Sequence, residues 1–267
     1  MDKSNNIIGI FDSGLGGLSV WNHVAGFMPA ESFVYCADSK FAPYGYKSND
    51  KIIERSHVLT KFLIGHNAKL IIVACNTATA AAIESLRNTY PDIQFVGMEP
   101  AVKPASLLSK TGNIGVLATH GTFNGKLFKQ NQEKYKPYVT IHYTEGAGLV
   151  ELAEQGKVFS QEAETLLKKY LRPLMEQNVD QLVLGCTHYP LFIPVIEKIT
   201  GGAINIIHPA DAIAKRAKDL LMQGRIFRND AVKGKTRFYT NGNRKSMDKV
   251  LTQLNIASKP VISKINY

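Results

Sequence analysis

Leu70-Ile71-Ile72-Val73-Ala74-Cys75-Asn76-Thr77 and Leu182-Val183-Leu184-Gly185-Cys186-Thr187-His188 are two versions of one pattern. In each, a short apolar run leads to a small residue, a cysteine and side chains that form hydrogen bonds. Apolar runs of this length between polar boundaries read as parallel strands buried on both faces. Each cysteine then falls at the carboxyl end of a strand, where open α/β sheets hold their ligands. Two such cysteines in matching contexts predict one site with a thiol on each side.

Outward from these strands the chain alternates strand and helix. Residues 7–11 form an apolar run that stops at Asp12-Ser13-Gly14-Leu15-Gly16-Gly17, and helical spacing follows at Leu18, Trp21, Val24 and Met28. Further strands are expected at 32–36, 95–98, 113–119, 139–143, 204–207 and 237–240. Helices are expected at 52–66, 77–89, 101–108, 148–155, 161–177 and 211–222. Residues 41–45 read as a loop because of Pro43 and Gly45. Laying Gly115 on Gly9 aligns 113–119 with the first strand and places Thr119 on Ser13. The stretch from Ser13 to Cys75 is then nearly as long as that from Thr119 to Cys186, so the half-chain occurs twice.

This pattern predicts an α/β fold: two pseudo-symmetric three-layer domains, each with a mainly parallel central sheet flanked by helices, and an active site in the cleft between them. Residues 1–98 with 208–267 are assigned to the first domain, which carries Asp12 and Cys75. Residues 99–207 are assigned to the second, which carries Thr119 and Cys186. The C-terminal strands are expected to return to the first sheet.

With 267 residues, 45% hydrophobic and 20% charged, the composition is that of a globular enzyme. The polar start lacks a signal-peptide apolar region, and no apolar run is long enough for a membrane helix. Three cysteines make no disulfide framework, so the expected setting is the cytoplasm, with thiols. The net charge of +10 is confined to residues 215–267, which hold 13 Lys/Arg against 3 Asp/Glu. These cations are scattered and accompany no nucleic-acid motif. They read as a solvated basic surface that steers small anions, ahead of a nucleic-acid site. A homodimer is compatible with the sequence but not required by it.

Three readings of Cys75 and Cys186 compete. Buried cysteine is commonly a small hydrophobe, but both residues stand beside polar side chains at strand ends. A metal site would want closely spaced ligands, and these two are far apart in the chain with only His188 nearby. Acid–base thiols fit best, because a helix N-terminus lowers a thiol pKa and favours thiolate. Asn76, Thr77 and Thr187 would add donors for a substrate carboxylate. The turn 12–17 is not a dinucleotide fingerprint, since Ser19 stands where the third glycine would be. Its glycines still let backbone N–H groups approach an anion. Asp12 and Ser13 are expected over the cleft, with a helix-capping aspartate as the competing reading. His188 can tune Cys186 or share its proton. Cys36, inside a strand, reads as core, and Lys40, Lys47, Arg55 and Arg87 carry no motif.

These residues resemble those of the glutamate racemases, in the aspartate/glutamate racemase superfamily. The matching elements run in family order: Phe11 to Gly17, Ala37-Asp38 with Pro43-Tyr44-Gly45, Cys75-Asn76-Thr77-Ala78, Leu117-Ala118-Thr119, Gly185-Cys186-Thr187-His188-Tyr189-Pro190-Leu191, His208-Pro209-Ala210 and Phe238-Tyr239-Thr240. The resemblance implies a cofactor-free, metal-free racemase that interconverts L- and D-glutamate by a two-cysteine mechanism and supplies D-glutamate for peptidoglycan. It implies that Cys75 serves D-glutamate and Cys186 L-glutamate, assisted by Asp12, His188 and Glu154. It places Asp12, Ser13, Pro43, Tyr44, Gly45, Asn76, Thr77, Thr119, Thr122, Thr187 and His188 around the substrate. Many members carry Cys-Pro-Leu where this chain has Gly146-Ala147-Gly148, which leaves Glu151 as a rival to Glu154 for the auxiliary acid. An aspartate racemase is the nearest alternative. A basic partner-binding protein and a two-lobed ligand-binding module without chemistry are the readings from other classes.

Overall fold

The computed structural model describes residues 4–254, 256 and 261–265. The first part of the chain forms β1 (Ile7–Asp12), α1 (Leu18–Phe27), β2 (Phe33–Ala37), α2 (Asn49–Gly65), β3 (Ala68–Val73), α3 (Asn76–Thr89), β4 (Gln94–Gly97) and α4 (Val102–Leu108). The middle forms β5 (Asn113–Ala118), α5 (His120–Asn124), α6 (Lys126–Tyr135), β6 (Thr140–Glu145), α7 (Leu149–Glu154), α8 (Gln161–Glu176), β7 (Gln181–Gly185), α9 (Ile193–Thr200) and β8 (Asn205–Ile207). The last part adds α10 (Ala210–Gln223), β9 (Thr236–Thr240), α11 (Arg244–Gln253) and β10 (Ile262–Lys264).

Two sheets result, of order β10-β9-β2-β1-β3-β4 and β6-β5-β7-β8, and every pairing in both is parallel. The two-sheet α/β expectation is met, and the repeat extends to the register. Gly9 pairs with Ile71 and Phe11 with Val73 in the first sheet; Gly115 pairs with Leu182 and Leu117 with Leu184 in the second. Counting on from those pairs brings Cys75 and Cys186 to equivalent positions just past β3 and β7. The shared glycine has a packing reason. A Cβ on Gly9 would lie 3.0 Å from Leu63 of α2, and one on Gly115 would lie 3.1 Å from Leu174 of α8. The bare backbone lets each helix lie close against its central strand.

Both faces of each sheet are covered, as a parallel sheet requires. On the first sheet, Leu18, Trp21, Val24, Ile213, Leu221 and Leu251 pack one face, and Leu59, Leu63, Ala82, Ile83 and Leu86 pack the other. Cys36 is buried with the second group, where alternation puts it. On the second sheet, Leu149, Leu167, Leu171 and Ile196 cover one face, and Val102, Ala105 and Phe128 cover the other. Ser48 and Ser160 cap α2 and α8, accepting from Lys51 and Ala163 N–H, which satisfies one orphan donor at each helix start. Among the described residues no helix is long and apolar enough to cross a membrane.

Candidate active site

The ends of β1, β3, β5 and β7 meet at one small pocket. Ser13, Pro43, Tyr44, Gly45, Cys75, Asn76 and Thr77 line it from the first sheet, and Thr119, Val150, Gly185, Cys186, Thr187 and His188 from the second. Both cysteines are thiols and almost fully buried. Both oxygen and nitrogen of the buried Asn76 amide lack a hydrogen-bond partner. An unmet buried amide carries a desolvation cost, and here it faces a pocket, which marks a place for a polar ligand.

Cys75 caps α3: its Sγ accepts from Ala78 N–H at 3.4 Å, and Ser13 Oγ lies 3.5 Å away. The helix terminus does not make this a thiolate. Burial, then the nearby Asp12 charge, push the Cys75 thiol up to about 12, against the opposing bonds from Ser13 and Ala78. Desolvation outweighs the helix end, which corrects the expectation drawn from the sequence.

Cys186 has a different companion. His188 Nδ1 lies 3.9 Å from Cys186 Sγ, and His188 Nε2 is 2.6 Å from Glu154 Oε1. Burial would lower the imidazole pKa, yet the bonds to Cys186 and Glu154 raise it well above its ordinary value. Of the two rival glutamates, Glu154 is the one that reaches His188. Glu151 instead lines an adjoining vestibule with Tyr46, Glu145, Gly146, Ala147 and Gly148.

Asp12 lies beneath the glycine turn rather than over the cleft. It is fully buried, its Oδ2 accepts from Gly14 and Gly17 N–H, and its Oδ1 accepts from Thr187 Oγ1. Burial raises its pKa, partly offset by His188 and the Gly17 N–H. The glycine turn does approach anions, but they are the protein's own carboxylates: Leu15 N–H donates to Glu154 Oε1 at 2.6 Å. Thr122 also stands behind the lining, bonded to Thr119 Oγ1 at 3.0 Å and to Gly185 O. Thr77 Oγ1 meets Thr119 Oγ1 at 2.9 Å, joining the two halves.

One supporting network escaped the sequence reading. Asp38 accepts from Arg55 through both nitrogens, at 2.9 and 2.7 Å, and from Tyr44 OH and Asn241 Nδ2. This buried cluster fixes the loop that carries Tyr44 and Gly45 into the pocket. Only the Ala37-Asp38 and Pro43-Tyr44-Gly45 matches hinted at it; nothing local to Arg55 points to a buried ion pair. Among the described residues no group of three or more His, Cys, Asp or Glu side chains could hold a metal ion.

The sequence profile of the Asp/Glu/hydantoin racemases matches residues 20–217. The chain belongs to this racemase family. A glutamate racemase of Ectopseudomonas mendocina is 39% identical over 254 residues, covering 95% of this chain and 96% of the relative. Among solved racemases, the RacE1 isoform of Bacillus anthracis superposes with a TM-score of 0.87 at 29% identity, covering 98% of both chains. The Francisella tularensis glutamate racemase in complex with D-glutamate superposes at 0.83 with 28% identity, again over 98% of both chains. This racemase is therefore an amino-acid isomerase.

Proposed function

We propose that the protein interconverts L- and D-glutamate without a cofactor, with Cys75 and Cys186 acting as acid and base on opposite faces of the substrate. The observation that carries this reading is the pair of buried thiols at register-equivalent strand ends, facing one small pocket. Relatives named as glutamate racemases, and related structures holding D-glutamate and L-glutamate, support the substrate. The residues assigned to the site are Cys75 and Cys186, with Ser13, Pro43, Tyr44, Gly45, Asn76, Thr77, Thr119, Thr187 and His188 around the substrate. Asp12, Glu154 and Thr122 support them from behind.

The chemistry is demanding, because the α-proton of a zwitterionic amino acid is weakly acidic. The developing enediolate needs fixed donors in a water-poor space. Asn76, Thr77, Thr119 and Thr187 offer such donors on both sides. A substrate ammonium entering beside Cys75 would offset the burial that holds its proton. For L-glutamate, Cys186 removes the α-proton while Cys75 delivers its own to the other face. For D-glutamate the roles exchange. The enzyme works in the cytoplasm and supplies D-glutamate for peptidoglycan, and residues 1–98 with 208–267 close on 99–207 to exclude water.

Circular dichroism of the purified protein with L-glutamate and no added cofactor tests this: the signal should decay to that of the racemate. Aspartate is the rival substrate, and turnover of aspartate well above glutamate would reassign the specificity. Activity that vanished after EDTA treatment and returned with zinc would refute the metal-free mechanism. In D₂O, early D-glutamate formed from L-glutamate should carry deuterium at Cα while the L-glutamate pool stays nearly unlabelled. Retention of the substrate's own hydrogen would point to a single base.

A further inference from the structure

Gly14, Gly16 and Gly17 are not glycines for the sake of backbone conformation. The positive-φ glycines among the described residues are Gly112, Gly148, Gly156, Gly201 and Gly202. At Gly14 and Gly16 the turn requires empty space on the side facing the second half, whereas a Cβ on Gly17 would meet Asp12 and Tyr35 of the first half. A Cβ on Gly14 would overlap Glu154 Oε1 and lie 3.1 Å from His188 Nε2. A Cβ on Gly16 would lie 2.5 Å from His188 N and 2.6 Å from His188 Nδ1. Between them, the Leu15 N–H donates to the same Glu154 oxygen that meets His188 Nε2, each at 2.6 Å. On the turn's flanks, Asp12 Oδ1 accepts from Thr187 Oγ1 at 3.2 Å, and Ser19 Oγ lies 3.4 Å from Thr187 O.

We infer that this turn of the first half positions the acid–base group of the second: its glycines admit His188, and its Leu15 N–H anchors Glu154, so that His188 is held against Cys186 only while the two halves are closed. The inference rests on Cys186 being an acid–base, as proposed above. Gly14, Leu15 and Gly16 are positioning residues and touch no reacting atom. The titratable groups facing His188 are Cys186, Glu154 and Asp12. The repeat makes a converse contact, since a Cβ on Gly121 of the second half would lie 2.6 Å from Thr77 Cγ2. Thr77 carries no titratable group, so only one of the two contacts governs a proton.

Gly14→Ala is the test variant, because its added methyl meets the end of a flexible carboxylate and the chain can fold around it. A double-mutant cycle with Glu154→Ala reads the coupling. Gly14→Ala should lower kcat/KM for glutamate by at least about tenfold, whereas in the Glu154→Ala background it should cost little more. The His188 titration, followed by NMR on the free enzyme, should fall toward the ordinary histidine range by about one unit or more in Gly14→Ala. Additive losses with an unmoved His188 titration and an unchanged melting temperature would overturn the inference. If the wild type fails to racemise glutamate, the proposed function fails instead, and the His188 titration alone decides whether the turn positions this group.

Discussion

Two residues beyond Cys75 the chain places Thr77; two residues beyond Cys186, at the equivalent position of the repeat, it places His188. Thr77 shares a neutral hydroxyl chain with Thr119 and Thr122. His188 instead joins Cys186 to the Glu154 carboxylate. Register and pocket position are duplicated, whereas the proton chemistry is not. One thiol sits in a buried niche that holds its proton, beside Ser13, a backbone N–H and the Asp12 carboxylate. The other has a partner that can carry charge. A symmetric scaffold can thus bring two thiols to one pocket while giving each unlike neighbours.

The strongest way to break this comparison is to remove each thiol. Cys75→Ala and Cys186→Ala should each lose at least about 10²–10⁴-fold in racemisation with the fold retained. Near-full turnover in either variant, measured by circular dichroism, would end the two-thiol scheme.

Replacing the unlike partners sharpens it. The His188 pKa is raised, so its stabilising charge is complete below the ordinary histidine value and fades as pH rises through the elevated one. His188→Gln should cost about 10²-fold in kcat/KM and erase the part of the alkaline limb that this proton sets. Thr77→Val should cost about tenfold or less and leave the shape of the pH profile unchanged. Equal changes in the two profiles would erase the distinction between the halves.

Glu154→Gln should lower kcat/KM about tenfold, and Glu151→Gln should leave it within about twofold, since only Glu154 touches His188. The reverse ranking would move the auxiliary role to the vestibule. The smallest effect belongs to the third cysteine. Cys36→Ala should keep turnover within about twofold and cost about 1 kcal/mol of stability in denaturant unfolding, as a packing residue does.

The sheets were legible because their strands are apolar runs bounded by polar turns. The repeat was legible because Gly9 and Gly115 do the same packing work. Residues 120–135 carry no clear helical signal in the sequence, although they form α5 and α6. Lys126–Tyr135 is mostly polar, and among its described side chains Phe128 is the buried one, so it offers few apolar positions to mark a helix. Residues 193–200 and 244–253 form α9 and α11, which the apolar spacing alone does not announce. The three-residue strand Ile262–Lys264 is too short to announce itself. In the site, local pattern identified the cysteines and their neighbours. It could not show that Asp12 faces inward, because that depends on Gly14, Gly17 and a threonine from the other half. Nor could it pair Asp38 with Arg55 or choose Glu154 over Glu151, since both outcomes are set by how separate elements meet.

The strand order also has a consequence for the ribosome. The four-stranded sheet is built from one unbroken segment, Asn113 to Ile207, and every partner it needs has been synthesised once β8 emerges. The six-stranded sheet begins first and finishes last, because the outer edge of β2 waits for β9 and β9 waits for β10. The half translated later can therefore close its sheet earlier. Through that interval the nascent chain carries an exposed strand edge on β2, the kind of surface that invites mispairing and chaperone capture.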